Sequence, residues 1–171
     1  FIYIKDMTII LKNKETLIFD DFSFRCCIGK NGITNNKIEG DKKTPSGLFS
    51  LGKIYYRKER NSKPITKIKS ISISRKMGWC DDVNSKSYNK LIKVNTKIKH
   101  EKMFRRDHKY DLLIPINYNA KNTIAGKGSA IFIHLTKNYL PTAGCIGIKK
   151  KDMLILLKLI NSKTKIKIQN N

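Results

Sequence analysis

With 171 residues, the sequence has room for one domain, and we predict a single domain over residues 1–171. Its hydrophobic fraction of 40% can fill a core, and no apolar stretch reaches the roughly 20 residues that cross a bilayer, so the sequence predicts neither disorder nor a membrane span. The net charge is +23, but 30 of the 36 basic residues are lysines spread along the chain, so charge alone does not indicate nucleic-acid binding.

Short strands dominate the first part of the predicted structure. Runs of β-branched and aromatic residues that end at turn-forming residues are typical of strands. Four such runs are Phe1–Ile4, Thr8–Leu11, Thr16–Phe19 and Phe22–Ile28. Turns are predicted at Gly29–Gly32 and Gly40–Gly47, and Leu48–Tyr56 is the next predicted strand.

The middle of the chain carries a weaker periodic signal. Lys58–Lys69 is basic and aperiodic, so we predict an excursion over the surface. Gly78–Lys90 is too irregular for either a strand or a helix. Apolar core strands are predicted again at Leu112–Asn117 and Ser129–His134.

One helix is predicted near the end of the chain, at Lys151–Ser162. Four apolar side chains recur there at helical spacing, namely Met153, Leu156, Leu157 and Ile160. Thr164–Ile168 alternates and is predicted to be a final strand. The predicted fold class is therefore mostly β, with one late helix.

The cysteines do not form a recognisable metal or disulfide pattern. They are Cys26, Cys27, Cys80 and Cys145, with no CxxC pair and no histidine at zinc spacing, so no metal site is predicted. Unpaired cysteines fit a reducing compartment, or one catalytic thiol among buried cysteines.

The candidate chemistry lies at His134 and Cys145, which are 11 residues apart. A thiol attacks as the thiolate, and a neighbouring imidazole can take its proton. Gly144 allows a tight turn whose N–H groups can face an oxyanion. Taken alone, such a pair is more often a strand-end histidine and a buried cysteine without a catalytic role.

The residues around this pair resemble a known family. His134 followed by Thr142–Ile146 is similar to the His…(Ser/Thr)-x-Gly-Cys signature of the L,D-transpeptidase catalytic domain family, which has the YkuD-like fold. Glu39–Phe49 resembles the GDxxTPxGxF segment of that family. Gly78–Asp82, followed by Tyr88–Asn89 and His100–Glu101, resembles a compact bacterial subgroup. The matches extend from about Phe24 to the predicted helix.

The resemblance implies an L,D-transpeptidase-like β-sandwich or barrel with short helices, and a cysteine enzyme of bacterial peptidoglycan. Its members attack the bond between meso-diaminopimelate and D-Ala in the stem peptide, and they form a thioacyl enzyme. By this resemblance Cys145 is the nucleophile and His134 the general base and acid. Gly144 would support the oxyanion region and Thr142 would orient the loop, with no cofactor.

Substrate contacts are less well defined by the sequence. Many members carry Arg or Asn soon after the cysteine, where this chain has Ile146–Ile148, so Lys149 or Lys150 is expected to bind a substrate carboxylate. Trp79 either lines the cleft or stabilises its loop. Arg105–Asp107 could hold an acidic stem peptide, although a solvated face is the default interpretation.

Several alternatives stay open. One alternative is a cytosolic L,D-carboxypeptidase of muropeptide recycling, which uses the same chemistry with water in place of the amine acceptor. The protein is cytoplasmic if the chain begins near Phe1, and belongs to the cell envelope or periplasm if a signal peptide has been removed. A basic nucleic-acid-binding protein is the rival class, but no such motif is present and no nucleic-acid partner is expected. We expect a monomer.

Overall fold

Residues 7–94 and 97–170, which the computed structural model describes, form fifteen strands and one helix. The helix is α1 (Lys150–Leu159). The strands are β1 (Thr8–Lys12), β2 (Thr16–Phe19), β3 (Phe22–Cys27), β4 (Ile33–Thr34), β5 (Thr44–Pro45), β6 (Gly47–Ser50), β7 (Ile54–Tyr56), β8 (Ser70–Ser72), β9 (Met77–Cys80), β10 (Leu91–Lys93), β11 (His100–Lys102), β12 (Leu112–Pro115), β13 (Phe132–Leu135), β14 (Ile146–Ile148) and β15 (Lys165–Ile168). The mostly β fold class is confirmed. The strand predicted at Phe1–Ile4 lies outside the described residues.

Ten strands form one sheet, in the order β6-β15-β1-β2-β3-β14-β13-β12-β7-β8. Strands β1, β2 and β3 are consecutive antiparallel neighbours, as expected for strands joined by short turns. Strand β14 lies between β3 and β13, antiparallel to the first and parallel to the second. The loop between β13 and β14 therefore has to cross back along the sheet before β14 begins.

The two faces of this sheet bury different clusters. Along β13, Ile133 and Leu135 belong to the larger core, where Leu156 and Leu157 of α1 are also buried. Phe132 points to the opposite face and belongs to a smaller cluster. This alternation follows from the period of two in a strand, and every residue of β13 is buried because both faces are covered.

A second sheet of three strands, β10-β9-β11, contributes to the smaller cluster. Trp79 of β9 meets Phe132 edge to face, with ring centroids 5.1 Å apart. The segment Gly78–Lys90 was expected to be irregular, and β9 corrects this expectation for its first residues. Gly78 weakens the strand signal, because glycine has a low preference for strands. The structure requires glycine there, since a Cβ at this position would lie 2.7 Å from the His100 ring.

Other boundaries also differ from the prediction. β13 begins at Phe132 and not at Ser129, because Ala130 has a φ of +54°, outside the strand region. The short strand β5 lies within the loop predicted at Gly40–Gly47. Leu48–Tyr56 is not one strand but contains β7 and most of β6, because β6 pairs with β15 whereas β7 pairs with β12. The helix occupies Lys150–Leu159 instead of Lys151–Ser162, because Ile160 already has extended backbone angles. Lys58–Lys69 contains no helix or strand, as predicted.

Candidate active site

His134 and Cys145 lie on the same face of the large sheet. The register of β13 and β14 pairs Ile133 with Ile146, which places Cys145 beside Phe132. Phe132 and His134 are two residues apart in a strand and therefore share a face. Cys145 belongs to the smaller cluster, and the His134 ring contacts Tyr110 of that cluster with centroids 5.6 Å apart. The fold thus makes the two side chains diagonal neighbours.

The Cys145 thiol is held by backbone groups. Its Sγ donates to the carbonyl of Ala130 at 3.2 Å and accepts from the N–H of Phe132 at 3.4 Å. Within the described residues, no hydrogen bond joins Sγ to the imidazole of His134. In this state, Sγ therefore donates its hydrogen bond to the Ala130 carbonyl and not to the imidazole.

The His134 ring is fixed in one tautomer. Its Nδ1 lies 2.9 Å from the carbonyl oxygen of Leu135, which can only accept, so Nδ1 carries the hydrogen. The Nε2 atom consequently keeps its lone pair, which is the state that a general base requires. The ring borders a cavity of about 480 Å³.

Burial keeps both groups uncharged. It raises the pKa of the Cys145 thiol to about 12, although the Phe132 N–H opposes this shift. Burial likewise lowers the pKa of His134 to about 4. A resting thiolate–imidazolium pair is therefore disfavoured, so this thiol would react as a nucleophile only by losing its proton during the attack.

The loop before Cys145 is shaped by Thr142 and Gly144. The Thr142 hydroxyl accepts from the Gly144 N–H at 3.1 Å and donates to the Cys145 carbonyl at 2.6 Å. Gly144 has a φ of +138°, and a Cβ there would lie 2.8 Å from the carbonyl oxygen of Lys43. Because the Gly144 N–H is already bonded, the Cys145 N–H, which has no acceptor among the described residues, is the candidate oxyanion donor.

Thr44 explains the Thr-Pro-x-Gly segment. It is fully buried, and its hydroxyl donates to the carbonyl of Gly144 at 2.8 Å while accepting from the N–H of Gly29 at 2.9 Å. The sequence identified this segment only by resemblance and assigned no role to Thr44. In the structure, it connects the turn after β3 to the cysteine loop.

Comparison with known proteins assigns the family. The family model described as YkuD, L,D-transpeptidase catalytic domain, matches residues 2–168. The chain belongs to this family. No curated protein gave a significant match.

Two solved structures share the YkuD-like fold. The helical cell shape determining protein Pgp2 from Campylobacter jejuni superposes with a TM-score of 0.55 at 17% identity, covering 96% of this chain and 47% of Pgp2. Bd1075 from Bdellovibrio bacteriovorus gives a TM-score of 0.51 at 17% identity, covering 95% of this chain and 47% of Bd1075. The chain thus spans about half the length of each structure.

The cavity beside His134 in this YkuD-family chain is lined by charges of both signs, with Asp107 and Asp111 on its acidic side. Lys109, Lys137 and Lys150 line it, together with Thr142. Lys149, which the sequence offered as a carboxylate-binding residue, lies outside this cavity, with its ammonium 5.4 Å from the centre of the Tyr139 ring. Lys150, the other residue considered from the sequence, is the one that reaches the cavity.

Asn89, which the sequence named only within a resembling segment and gave no role, lies beside the thiol site. Its Oδ1 accepts from Nε1 of Trp79 at 2.9 Å and from the N–H of Ala130 at 3.1 Å. Ala130 has a φ of +54°, which is unusual for a residue with a Cβ, and its carbonyl is the acceptor for the Cys145 thiol. A chain of hydrogen bonds therefore runs from Trp79 through Asn89 to Ala130, whose carbonyl bonds the thiol.

Residues 7–94 and 97–170 contain neither a metal-binding cluster of side chains nor a membrane-spanning helix. Within these ranges, no group of three or more His, Cys, Asp or Glu side chains is placed to hold a metal ion. No helix there has the length and apolar character needed to cross a bilayer.

Proposed function

We propose that this chain is an L,D-transpeptidase that acts on peptidoglycan stem peptides at the bond between diaminopimelate and D-Ala. The observation that carries the proposal is the arrangement around Cys145. Its thiol lies on the same face as an imidazole whose Nε2 lone pair is available, and its own N–H has no acceptor in the described part of the chain. Membership of the YkuD family supports the same reaction class.

In the first half of the reaction, Sγ of Cys145 bonds to the carbonyl carbon and its proton passes to Nε2 of His134. The carbonyl oxygen becomes an oxyanion, which the Cys145 N–H stabilises by a hydrogen bond. The C–N bond then breaks, and the leaving nitrogen of D-Ala takes the proton from His134. The acyl group stays on Cys145 as a thioester.

In the second half, an amine acceptor gives its proton to His134 and attacks the thioester. A new amide forms, and the departing sulfur regains a proton from His134. Water in place of the amine would release a tripeptide with a free carboxylate, which is the L,D-carboxypeptidase reaction. The two reactions differ only in the acceptor.

The test uses a disaccharide tetrapeptide that ends in D-Ala, incubated with the purified protein in the presence and absence of D-methionine. Mass spectrometry of the products identifies the acceptor. We expect an exchanged product that carries D-methionine, or a cross-linked dimer. Tripeptide alone in both samples would replace transfer by hydrolysis.

The controls are the Cys145→Ala and His134→Gln proteins, together with Cys26→Ala as a cysteine control outside the site. If the unmodified protein leaves the tetrapeptide intact in both samples, the peptidoglycan assignment is wrong. Turnover by the Cys145→Ala protein would exclude the thioacyl mechanism.

A further inference from the structure

Arginine is rare in this chain but concentrated in one place. The sequence holds only six arginines beside its 30 lysines. Five of the six surround one cavity of about 710 Å³ together with a lysine, and we call this the arginine pocket: Arg57, Arg60, Arg75, Arg105, Arg106 and Lys102. Because a lysine supplies charge equally well, this clustering points to a need for the planar, two-pronged guanidinium.

The arginine pocket has a rigid centre. The guanidinium carbon of Arg57 lies 3.4 Å from the centre of the Phe104 ring, and that of Arg75 lies 4.7 Å from the same centre. Arg57 is only 4% exposed and donates to the carbonyl of Arg105 at 2.7 Å. Stacking on a ring leaves the edges of a guanidinium free to donate hydrogen bonds in the plane.

The charges of the arginine pocket are only partly balanced. Carboxylates pair with three of its arginines: Arg57 with Glu59, Arg60 with Asp111, and Arg105 with both Glu101 and Asp107. Arg75, Arg106 and Lys102 are exposed and have no carboxylate partner in the described ranges. Six cations therefore face four carboxylates, which leaves an excess of two positive charges for a ligand.

The arginine pocket adjoins the candidate active site. Asp107 lines both this pocket and the cavity beside His134. Arg105 also lies 4.9 Å from the centre of the Tyr110 ring, which in turn contacts the His134 ring. The two cavities are therefore neighbours that share one wall.

We propose that the arginine pocket binds carboxylate groups of the acidic stem peptide, away from the bond that is cleaved. This assignment rests on the proposed function, which supplies a substrate with free carboxylates next to the pocket. Arg75 and Arg106 supply paired N–H donors to these carboxylates, and Lys102 adds a third charge. The stretch Arg105–Asp107, taken from the sequence as a solvated face by default, forms one wall of this pocket.

The test measures binding and turnover separately. The first probe is the disaccharide tetrapeptide, titrated by calorimetry into the full chain carrying Cys145→Ala, and the second is the same peptide with its carboxylates amidated. We expect a further Arg75→Gln/Arg106→Gln change to raise the Kd of the acidic peptide at least about tenfold, while the amidated peptide is unaffected. Arg75→Lys/Arg106→Lys should fall between.

The matched control is Lys12→Gln/Lys163→Gln, which removes the same charge from exposed lysines that do not line the pocket. Equal weakening by this control would mean that only net charge matters, which overturns the assignment. Unchanged binding in the arginine-to-glutamine protein also overturns it. Inorganic phosphate is the third probe, and phosphate binding that depends on the arginines and exceeds peptide binding would reassign the pocket to phosphate.

Turnover distinguishes failure of this inference from failure of the proposed function. If the active protein cleaves the tetrapeptide and Arg75→Gln/Arg106→Gln leaves its KM unchanged, the function stands and the pocket assignment falls. If no cleavage occurs but arginine-dependent binding of the acidic peptide persists, the pocket stands as a carboxylate site and the reaction does not.

Discussion

The imidazole of His134 and the thiol of Cys145 are both uncharged in the folded protein, because both are buried. The Leu135 carbonyl selects the tautomer of His134, and the Ala130 carbonyl holds the thiol proton. In the proposed reaction, the thiol would turn from Ala130 toward Nε2 of His134 when a substrate enters. The resting geometry protects the sulfur, since a neutral buried thiol is a poor nucleophile.

At the residue scale, Cys145→Ala should abolish turnover of the tetrapeptide. His134→Gln should lower kcat by roughly 10²–10⁴-fold, because it removes the general base. The measurement is product formation by mass spectrometry, with the Tm of each protein recorded alongside. Cys26→Ala is the control, because Cys26 is buried but faces the larger core. A His134→Gln protein with the original kcat would contradict the assigned base.

Thr44 is a positioning residue, and its hydroxyl can be tested without a change of shape. Thr44→Val leaves the Gly29 N–H and the Gly144 carbonyl without a partner, which costs about 1–3 kcal/mol of unfolding free energy. We expect kcat to fall more than KM rises, because Thr44 bonds to Gly144, which does not line the cavity, and the displacement is greatest there. Thr44→Ser keeps the hydroxyl and should restore kcat. A purely structural role would lower Tm in the valine protein and leave kcat as it was.

At the element scale, strands with alternating β-branched residues were predictable and short strands without them were not. β1, β2 and β3 lie where local sequence alternation placed them. β14 has only three residues with Gly147 at its centre, and its partners are far away in sequence. The His134 and Cys145 candidates were therefore found from a motif, while their common face depends on a pairing that no local signal encodes.

Gly147 is required by the close packing of β14 on its neighbours. A Cβ at this position would lie 2.7 Å from Sγ of Cys27 and 3.2 Å from Cβ of Thr136. We expect Gly147→Ala to lower the unfolding free energy by about 1–3 kcal/mol. It should also reduce kcat, because β14 begins directly after Cys145. Cys27→Ala removes the nearest atom and should recover part of both losses in the double variant.

Urea denaturation of the four proteins in this double-mutant cycle measures the coupling. A coupling energy clearly different from zero is expected for side chains in direct contact. Strictly additive losses would contradict the proposed clash between the new methyl group and the Cys27 sulfur.

At the scale of the whole molecule, the +23 charge does not by itself define a binding face, because lysines are spread over the chain. The structure instead separates two kinds of basic site. Three lysines line the cavity beside His134, and five arginines line the arginine pocket. Under the proposed function, an acidic substrate would meet lysine ammonium groups near the reacting bond and planar guanidinium groups farther away.

The buried His134 should make the stability of the whole fold depend on pH in the acid range. Its pKa is lowered from an ordinary value of 6.5 to about 4, chiefly by burial. The hydrogen bond to the Leu135 carbonyl opposes this decrease, Lys109 and Arg105 add to it, and Asp107 opposes it more weakly. Above pH 6.5, neither the folded nor the unfolded chain protonates this group, and its contribution to stability is complete. As the pH falls from 6.5 toward 4, only the unfolded chain binds the proton, so stability is lost.

The expected loss from His134 is up to about 3 kcal/mol of unfolding free energy over this range. It is measured by urea denaturation at pH 7.5, 5.5 and 4.5 for the unmodified protein and for His134→Gln. The carboxyl groups titrate in both proteins, so their contributions cancel in the difference. We expect the glutamine protein to lose less stability toward pH 4.5. Parallel losses in the two proteins would mean that the imidazole protonates readily in the folded state, and its assignment as a neutral base with a free Nε2 would fail.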